Sequence, residues 1–305
     1  MNKNNTNDLV SVVITTYKRS FKVVRRSIDS VLAQTYVPIE IILVDDNNVG
    51  DEYRKSIMEE LRKYPLINHV KHERNSGAQM SRNDGIRNAK GKYVAFLDDD
   101  DEWMSDKIEK QMRLFNNEVG LVYCNGYRID YESGEEKERI YSKTVPLKKT
   151  VSFEDMLYKD YIGTTTQAII HKDVFDVCGL FDVDQPARQD YEMWLRISKS
   201  FKCVGIDEPL FKHYIHQNEQ ISKDAKKAFI GYKNIYYKYK NDYKKNIFAK
   251  INILRSIKYS AVYAGLNKEK KHYNVLMRFA MLTAMFVNIK KFYYTILKIA
   301  LEKKC

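Results

Sequence analysis

The sequence predicts an α/β protein built on an open, mostly parallel sheet flanked by helices, with a helical extension at its C-terminal end. Three observations predict it. Short β-branched runs alternate with longer amphipathic stretches through the first half of the 305 residues. Two of those runs end directly in aspartates, Asp45-Asp46 and Asp98-Asp99-Asp100-Asp101. Beyond residue 220 the composition shifts to lysine and tyrosine with a helical reading.

Taken in order, residues 9–15 (LVSVVIT) read as the first strand. Ser20 is placed to cap a helix over 21–34, whose Val23, Val24, Ile28, Val31 and Leu32 share a face. Residues 39–44 (IEIILV) form the second strand, and their aliphatic run suits burial on both faces of a parallel sheet. A helix over 51–64 is halted by Pro65. Residues 67–71 make a short third strand, and Ser76 caps a helix through Ala89 with Gly91 as its left-handed C-terminal residue. Residues 93–97 (YVAFL) are the fourth strand and run into the four aspartates.

The second half is mixed. Residues 119–124 read as a strand, 131–136 as a hairpin turn, and 164–171, 202–206 and 210–215 as further strands, with a helix over 191–199. One boundary is evident, near residue 220, dividing a body of residues 1–221 from a helical region of residues 222–305.

Composition narrows the class. Hydrophobic residues at 44% against 30% charged describe a globular chain rather than a disordered one. Cys124, Cys178, Cys203 and Cys305 show no paired spacing, so neither a zinc site nor a disulfide framework is indicated, and free thiols fit the cytoplasm. The polar opening MNKNNTND followed by a strand is not the pattern of a secretory signal. Of the net charge of +12, residues 222–305 carry 20 Lys/Arg against four acids, or +16, leaving −4 for the body. The tail is therefore the part that meets polyanions or anionic lipid.

The aspartate run carries the chemistry. Adjacent carboxylates repel one another unless a cation compensates, and Mg²⁺ or Mn²⁺ commonly bridges one or two carboxylates to substrate phosphates. The bland alternative is a solvated acidic turn, but this run closes an apolar strand. Asp46 ends the second strand in the same way and can accept from a base N–H or a ribose hydroxyl; equally, it suits a turn before Asn47-Asn48. Tyr17 and Arg19 follow the first strand, and Asn75, Gly77 and Arg82 follow the third. An aromatic ring stacks on a base, guanidinium forks match diphosphate, and a helix N-terminus favours anions; capping and surface charge are the mundane readings.

Together, VSVVITTYKR (10–19), IEIILVDDNN (39–48), RNSGAQMSRNDGI (74–86), YVAFLDDDDEW (93–103), RQDYEMWLRI (188–197) and YIHQNEQIS (214–222) resemble glycosyltransferase family 2. The resemblance runs from about residue 9 to 222. It implies a GT-A, Rossmann-like fold and inverting, metal-dependent transfer from a nucleotide sugar, with residues 1–103 as the nucleotide-sugar half and 104–221 as the acceptor half. By position, Thr15, Tyr17, Arg19, Asp46, Asn75, Gly77 and Arg82 are implied at the donor nucleotide, and Asp98 and Asp99 at its ribose and the metal surroundings. Asp100 is implied as the main ligand of Mn²⁺ or Mg²⁺, with His216 as a further nitrogen ligand, and Asp190 as catalytic base. Gln189 stands where the family frequently has Glu, and Lys18 where Asn is frequent. Without the resemblance, Asp190 reads as a helix N-cap.

The implied reaction uses a UDP-sugar donor and a glycan or lipid-linked acceptor in cell-surface polysaccharide synthesis. A sugar-phosphate nucleotidyltransferase would need a glycine-rich loop after the first strand, where TTYKRS has none. A non-catalytic polyanion-binding protein would have no use for both the aspartate cluster and Asp190. The Lys/Tyr tail fits an anionic membrane surface on the cytoplasmic side better than nucleic acid, or simply helical packing on the body. Its most apolar stretch, residues 275–289, is interrupted by Arg278 and too short to span a bilayer.

Overall fold

In Val10–Thr16 (β1) every residue but Ser11 is β-branched, and all but Thr15 are buried, which makes it a central strand. The computed structural model describes residues 8–142, 146–215 and 224–302, with side chains described as far as 285. After β1 come α1 (Phe21–Leu32), β2 (Ile39–Asp45), α2 (Glu52–Glu60), β3 (Asn68–Lys71), α3 (Ala78–Asn88) and β4 (Tyr93–Asp98). The chain continues through β5 (Glu102–Trp103), α4 (Lys107–Met112), β6 (Val119–Asp130), β7 (Glu136–Arg139), β8 (Thr150–Val151) and α5 (Phe153–Tyr158). Next are β9 (Ala168–His171), α6 (Val174–Cys178), α7 (Gln189–Ser200) and β10 (Lys202–Ile215). Helices α8 (Ala225–Lys238), α9 (Lys240–Lys245), α10 (Ile247–Tyr263) and α11 (Asn267–Glu302) complete the described chain.

The strands form one sheet in the order β3-β2-β1-β4-β9-β6-β10-β5, with β7 on β6 and β8 on β10. It is parallel over β3, β2, β1 and β4. Beyond β4 it is mixed: β9 runs antiparallel to both neighbours, while β6 and β10 are parallel. Helix α1 buries Phe21, Val24, Ile28 and Val31 in a core with Val12, Ile14 and Leu43, each such side chain stabilising by roughly 1.5–3 kcal/mol.

Several local expectations change. Ser20 occupies the α1 N-cap position, but its side chain makes no capping bond. The N-cap of α3 is Gly77 rather than Ser76, with a left-handed φ of 89° that its missing Cβ permits. Gly91 is not left-handed; it is needed because a Cβ there would lie 2.5 Å from the Leu9 carbonyl oxygen. The two strands expected over 202–215 are a single strand, β10, with irregular register between Ile206 and Lys212 that lets it pass Pro209.

The chain divides into two compact units. The first comprises residues 1–156, 161–184 and 189–219, the second residues 157–160, 185–188 and 220–305. The second therefore takes in two short segments that the sequence boundary near 221 left in the body. Both segments are bonded within that unit: the Gln185 amide donates to the Gly231 carbonyl, and the Asn252 amide to the Tyr158 carbonyl. Within that unit Tyr236, Tyr239, Tyr243 and Tyr273 are buried between helices, so these rings serve packing and are not stacking platforms. No helix among the described residues is long and apolar enough to cross a membrane.

Candidate active site

β1 lies between β2 and β4. The chain leaves β1 on one side to make β2 and β3, then returns on the other to make β4. This reversal opens a crevice at the carboxyl ends of the strands. Register aligns those ends: Thr16 pairs with Asp45, and Thr15 with both Val44 and Asp98. Thr15, Asp46 and Asp98 therefore lie level at neighbouring strand ends.

At the end of β4, each aspartate has its own partners. Asp98 takes the Arg82 guanidinium at 3.0 Å. Arg19 reaches Asp99 at 3.3 Å and Asp100 at 2.7 Å. Asp101, fully buried, accepts from His213 Nδ1 at 3.0 Å and from the Tyr214 amide at 3.3 Å. Helix α1 supports the turn from beneath: the Ser27 hydroxyl donates to the Asp99 and Asp101 carbonyls at 2.8 and 2.7 Å. Arg26 donates to the Asp100 carbonyl at 2.5 Å while its guanidinium stacks 3.7 Å from the Tyr214 ring centre.

The electrostatics follow from this crowding. Burial pushes the Asp99 carboxyl up to about 6 against the pull of Arg19. Burial, then the charges of its three neighbours, pushes Asp100 up to about 7. For His213, burial opposes charging, but Asp101 outweighs it through charge and hydrogen bond and lifts the imidazole to about 9.

A second cluster closes the crevice beyond β2. Asp46 accepts from His72 Nδ1 and the Ser76 amide, both at 2.7 Å, from the Gly77 amide at 2.9 Å and from the Asn75 side chain at 3.0 Å. The carboxylate thus shapes the loop that carries Asn75 and Gly77. Behind it, Asp45 is buried against Arg54 and His69, each at 3.2 Å. Burial works against that carboxylate, yet bonds from His69 and Asn47 and the Arg54 charge hold it below the usual range. The Lys18 amide donates to Asn47 Oδ1 at 2.7 Å, which ties the loop after β1 to the loop after β2. Thr15 is half-buried at the strand end, and Tyr17 is 39% exposed beside it.

Asp190 lies in the first turn of α7, where its carboxylate accepts from the Tyr191 amide at 2.9 Å. One turn on, on the same helix face, the Trp194 indole donates to the Gly163 carbonyl at 2.7 Å. The loop continuing from Gly163 delivers Thr166, whose hydroxyl accepts from the Asp98 amide at 3.1 Å, and Thr165, whose hydroxyl lies 3.5 Å from the Asp98 carboxylate. A short relay of contacts thus links the start of α7 to the end of β4. His216 lies outside the described residues.

Sequence reasoning missed Arg26, Arg54, His72 and His213. Nothing local to Arg26 or Arg54 shows that each fastens a turn after a strand. His213 alternates with its strand neighbours, and only its pairing across 112 residues gives it a role.

The residues fit a divalent cation. The aspartate carboxylates offer hard oxygen donors, and the buried Asp101 Oδ2 has no hydrogen-bond partner. No group of three or more His, Cys, Asp or Glu among the described residues could hold a metal alone. One or two carboxylates completed by phosphate oxygens and water is the arrangement Mg²⁺ and Mn²⁺ favour.

The family profile described as "Glycosyl transferase family 2" matches residues 11–179. The Bacillus subtilis glycosyltransferase TuaG, named for teichuronic acid biosynthesis, is 30% identical over 236 residues, 74% of this chain and 88% of the relative. An Escherichia coli protein named UDP-Glc:alpha-D-GlcNAc-diphosphoundecaprenol beta-1,3-glucosyltransferase is 29% identical over 231 residues, 75% of this chain and 85% of the relative. Among solved structures, the Pyrobaculum calidifontis mannosyltransferase in complex with GDP-Man and Mn²⁺ superposes with a TM-score of 0.61 at 15% identity. That alignment covers 90% of this chain and 80% of the other, so the fold is GT-A.

Proposed function

This chain belongs to glycosyl transferase family 2 and is a glycosyltransferase, and on that premise we propose that it moves a sugar from a UDP-sugar, with inversion, to a glycan or lipid-linked acceptor. The observation that carries this is the run of four carboxylates at the strand reversal, faced by Arg19 and Arg82. Two relatives support the substrate class: one is named for a UDP-Glc donor and a GlcNAc-diphosphoundecaprenol acceptor, the other for teichuronic acid biosynthesis. Residues 1–221 would form the catalytic body, 1–103 holding the donor and 104–221 the acceptor.

Each residue then has a task. Thr15, Tyr17, Asp46, Asn75, Gly77 and Arg82 line the donor nucleotide, Asp46 chiefly by fixing the loop of Asn75 and Gly77. Asp100 would hold Mn²⁺ or Mg²⁺, with Asp98 and Asp99 beside it and His216 as a further ligand. When bound, the ion neutralises charge on the departing diphosphate. Asp190 takes the proton from the acceptor hydroxyl as its oxygen bonds to the anomeric carbon. The bond from that carbon to the diphosphate oxygen breaks, and its electron pair leaves with the nucleoside diphosphate. A single displacement inverts the anomeric centre. Arg82 from α3 and Arg19 from the loop after β1 supply positive charge to the phosphates.

Release of nucleoside diphosphate from a panel of nucleotide sugars, with and without Mn²⁺, tests this reading. Metal-dependent release from a UDP-sugar is expected. Its absence with every donor would end the proposal.

The basic C-terminal region is proposed to dock the enzyme on the cytoplasmic face of a membrane. Tyr263 and Phe279 are 82% and 72% exposed, on helices of a segment carrying +16, and this combination suits anionic headgroups. The full chain should co-sediment with phosphatidylglycerol vesicles at low salt and dissociate as salt rises. Equal partitioning to phosphatidylcholine vesicles would count against a charge-led contact.

A further inference from the structure

Three arginines meet the aspartate turn, and they are held differently. Arg82 stands on α3, 13% exposed, with its guanidinium 5.8 Å from the Phe181 ring centre. Arg26 grips a main-chain carbonyl and stacks on Tyr214. Arg19 comes from the loop after β1, where Tyr17, Lys18 and Ser20 are exposed, and its side chain is 29% exposed. It is more exposed than Arg82, and the loop that carries it lies at the surface.

Its position is equally telling. One guanidinium spans two adjacent carboxylates, Asp99 and Asp100, and supplies one positive charge to both. A divalent cation would supply two, through the hard oxygen contacts it prefers. The guanidinium fork matches a phosphate as well as it matches a carboxylate. An incoming donor diphosphate therefore offers Arg19 a new partner as the metal takes its old ones.

We propose that Arg19 is a built-in counter-ion that a divalent cation displaces from Asp99 and Asp100, and that the released guanidinium turns to the donor's diphosphate. The proposal rests on the metal and nucleotide-sugar reading above. It makes metal and donor binding mutually dependent: metal alone must break the Arg19 pairs, whereas metal with donor exchanges them. Linkage requires each to strengthen the other by the same factor.

The test is Mn²⁺ binding to the full chain by calorimetry or by the electron paramagnetic resonance of free Mn²⁺, with and without UDP. Couplings of this kind are on the order of 5- to 150-fold. The wild-type protein should bind Mn²⁺ about tenfold more tightly with UDP than without. Arg19→Gln should bind Mn²⁺ about tenfold more tightly than wild type in the absence of UDP, and gain less than wild type does when UDP is added, because only the direct phosphate contacts to the ion remain. Arg19→Lys keeps the charge without the fork and should fall between them; it carries the same test if Arg19→Gln loses its cooperative thermal transition. Equal Mn²⁺ affinities for wild type and both variants, sharpened alike by UDP, would overturn the role of Arg19 and leave the metal reading standing. No Mn²⁺ binding by any of the proteins, even with UDP, would overturn both.

Discussion

Replacing Asp100 with alanine is expected to lower sugar transfer by about a thousandfold or more and to weaken nucleotide binding in the presence of Mn²⁺. The carboxylate stands at the strand reversal, 2.7 Å from Arg19. Whatever cation binds there needs that charge most when negative charge builds on the leaving diphosphate. Asp100→Asn should fail as badly, since it keeps the volume and removes the charge. Neither loss should come from unfolding. Burial and three neighbouring carboxylates push Asp100 up to about 7, so its ionised form is costly to fold and a neutral side chain should be tolerated. Thermal unfolding measured beside turnover separates the two effects. Unchanged turnover in Asp100→Ala would refute the assignment.

Asp190→Asn is expected to leave donor binding intact and to slow transfer by about 10²–10⁴-fold, the range for losing a general base. Asparagine keeps an oxygen that can accept from the Tyr191 amide, so the first turn of α7 should survive. Donor affinity, measured by UDP titration, should match wild type because the aspartate turn and the Asp46 loop are untouched. What disappears is the acceptor for the hydroxyl proton. Transfer near the wild-type rate would show that another group removes it.

Some of this site was legible before any fold was known. A strand of β-branched residues that runs into carboxylates announces both the strand and its carboxyl end, and Asp46 and Asp98–Asp100 stood out as candidates for that reason. Tyr17, Arg19 and Arg82 were legible as residues that follow strands. The local caps were less so. Ser76 satisfies the propensity for a cap, yet the first intrahelical bond, from the Ser81 amide, goes to the Gly77 carbonyl, while Asp46, 30 residues before Ser76, holds the amides of both Ser76 and Gly77. The same holds for β10, expected as two strands over 202–206 and 210–215, which the register shift joins past Pro209.

The sequence by itself determined the alternation of strand and helix, the carboxyl-end aspartates and the basic tail, because periodicity, propensity and charge act over a few residues. Only the tertiary structure decided which cation faces which carboxylate. Arg19 finds Asp100 across 81 residues and His213 finds Asp101 across 112. Such pairings depend on strand order and register, and strand order is set by the burial of whole faces. No local pattern records it.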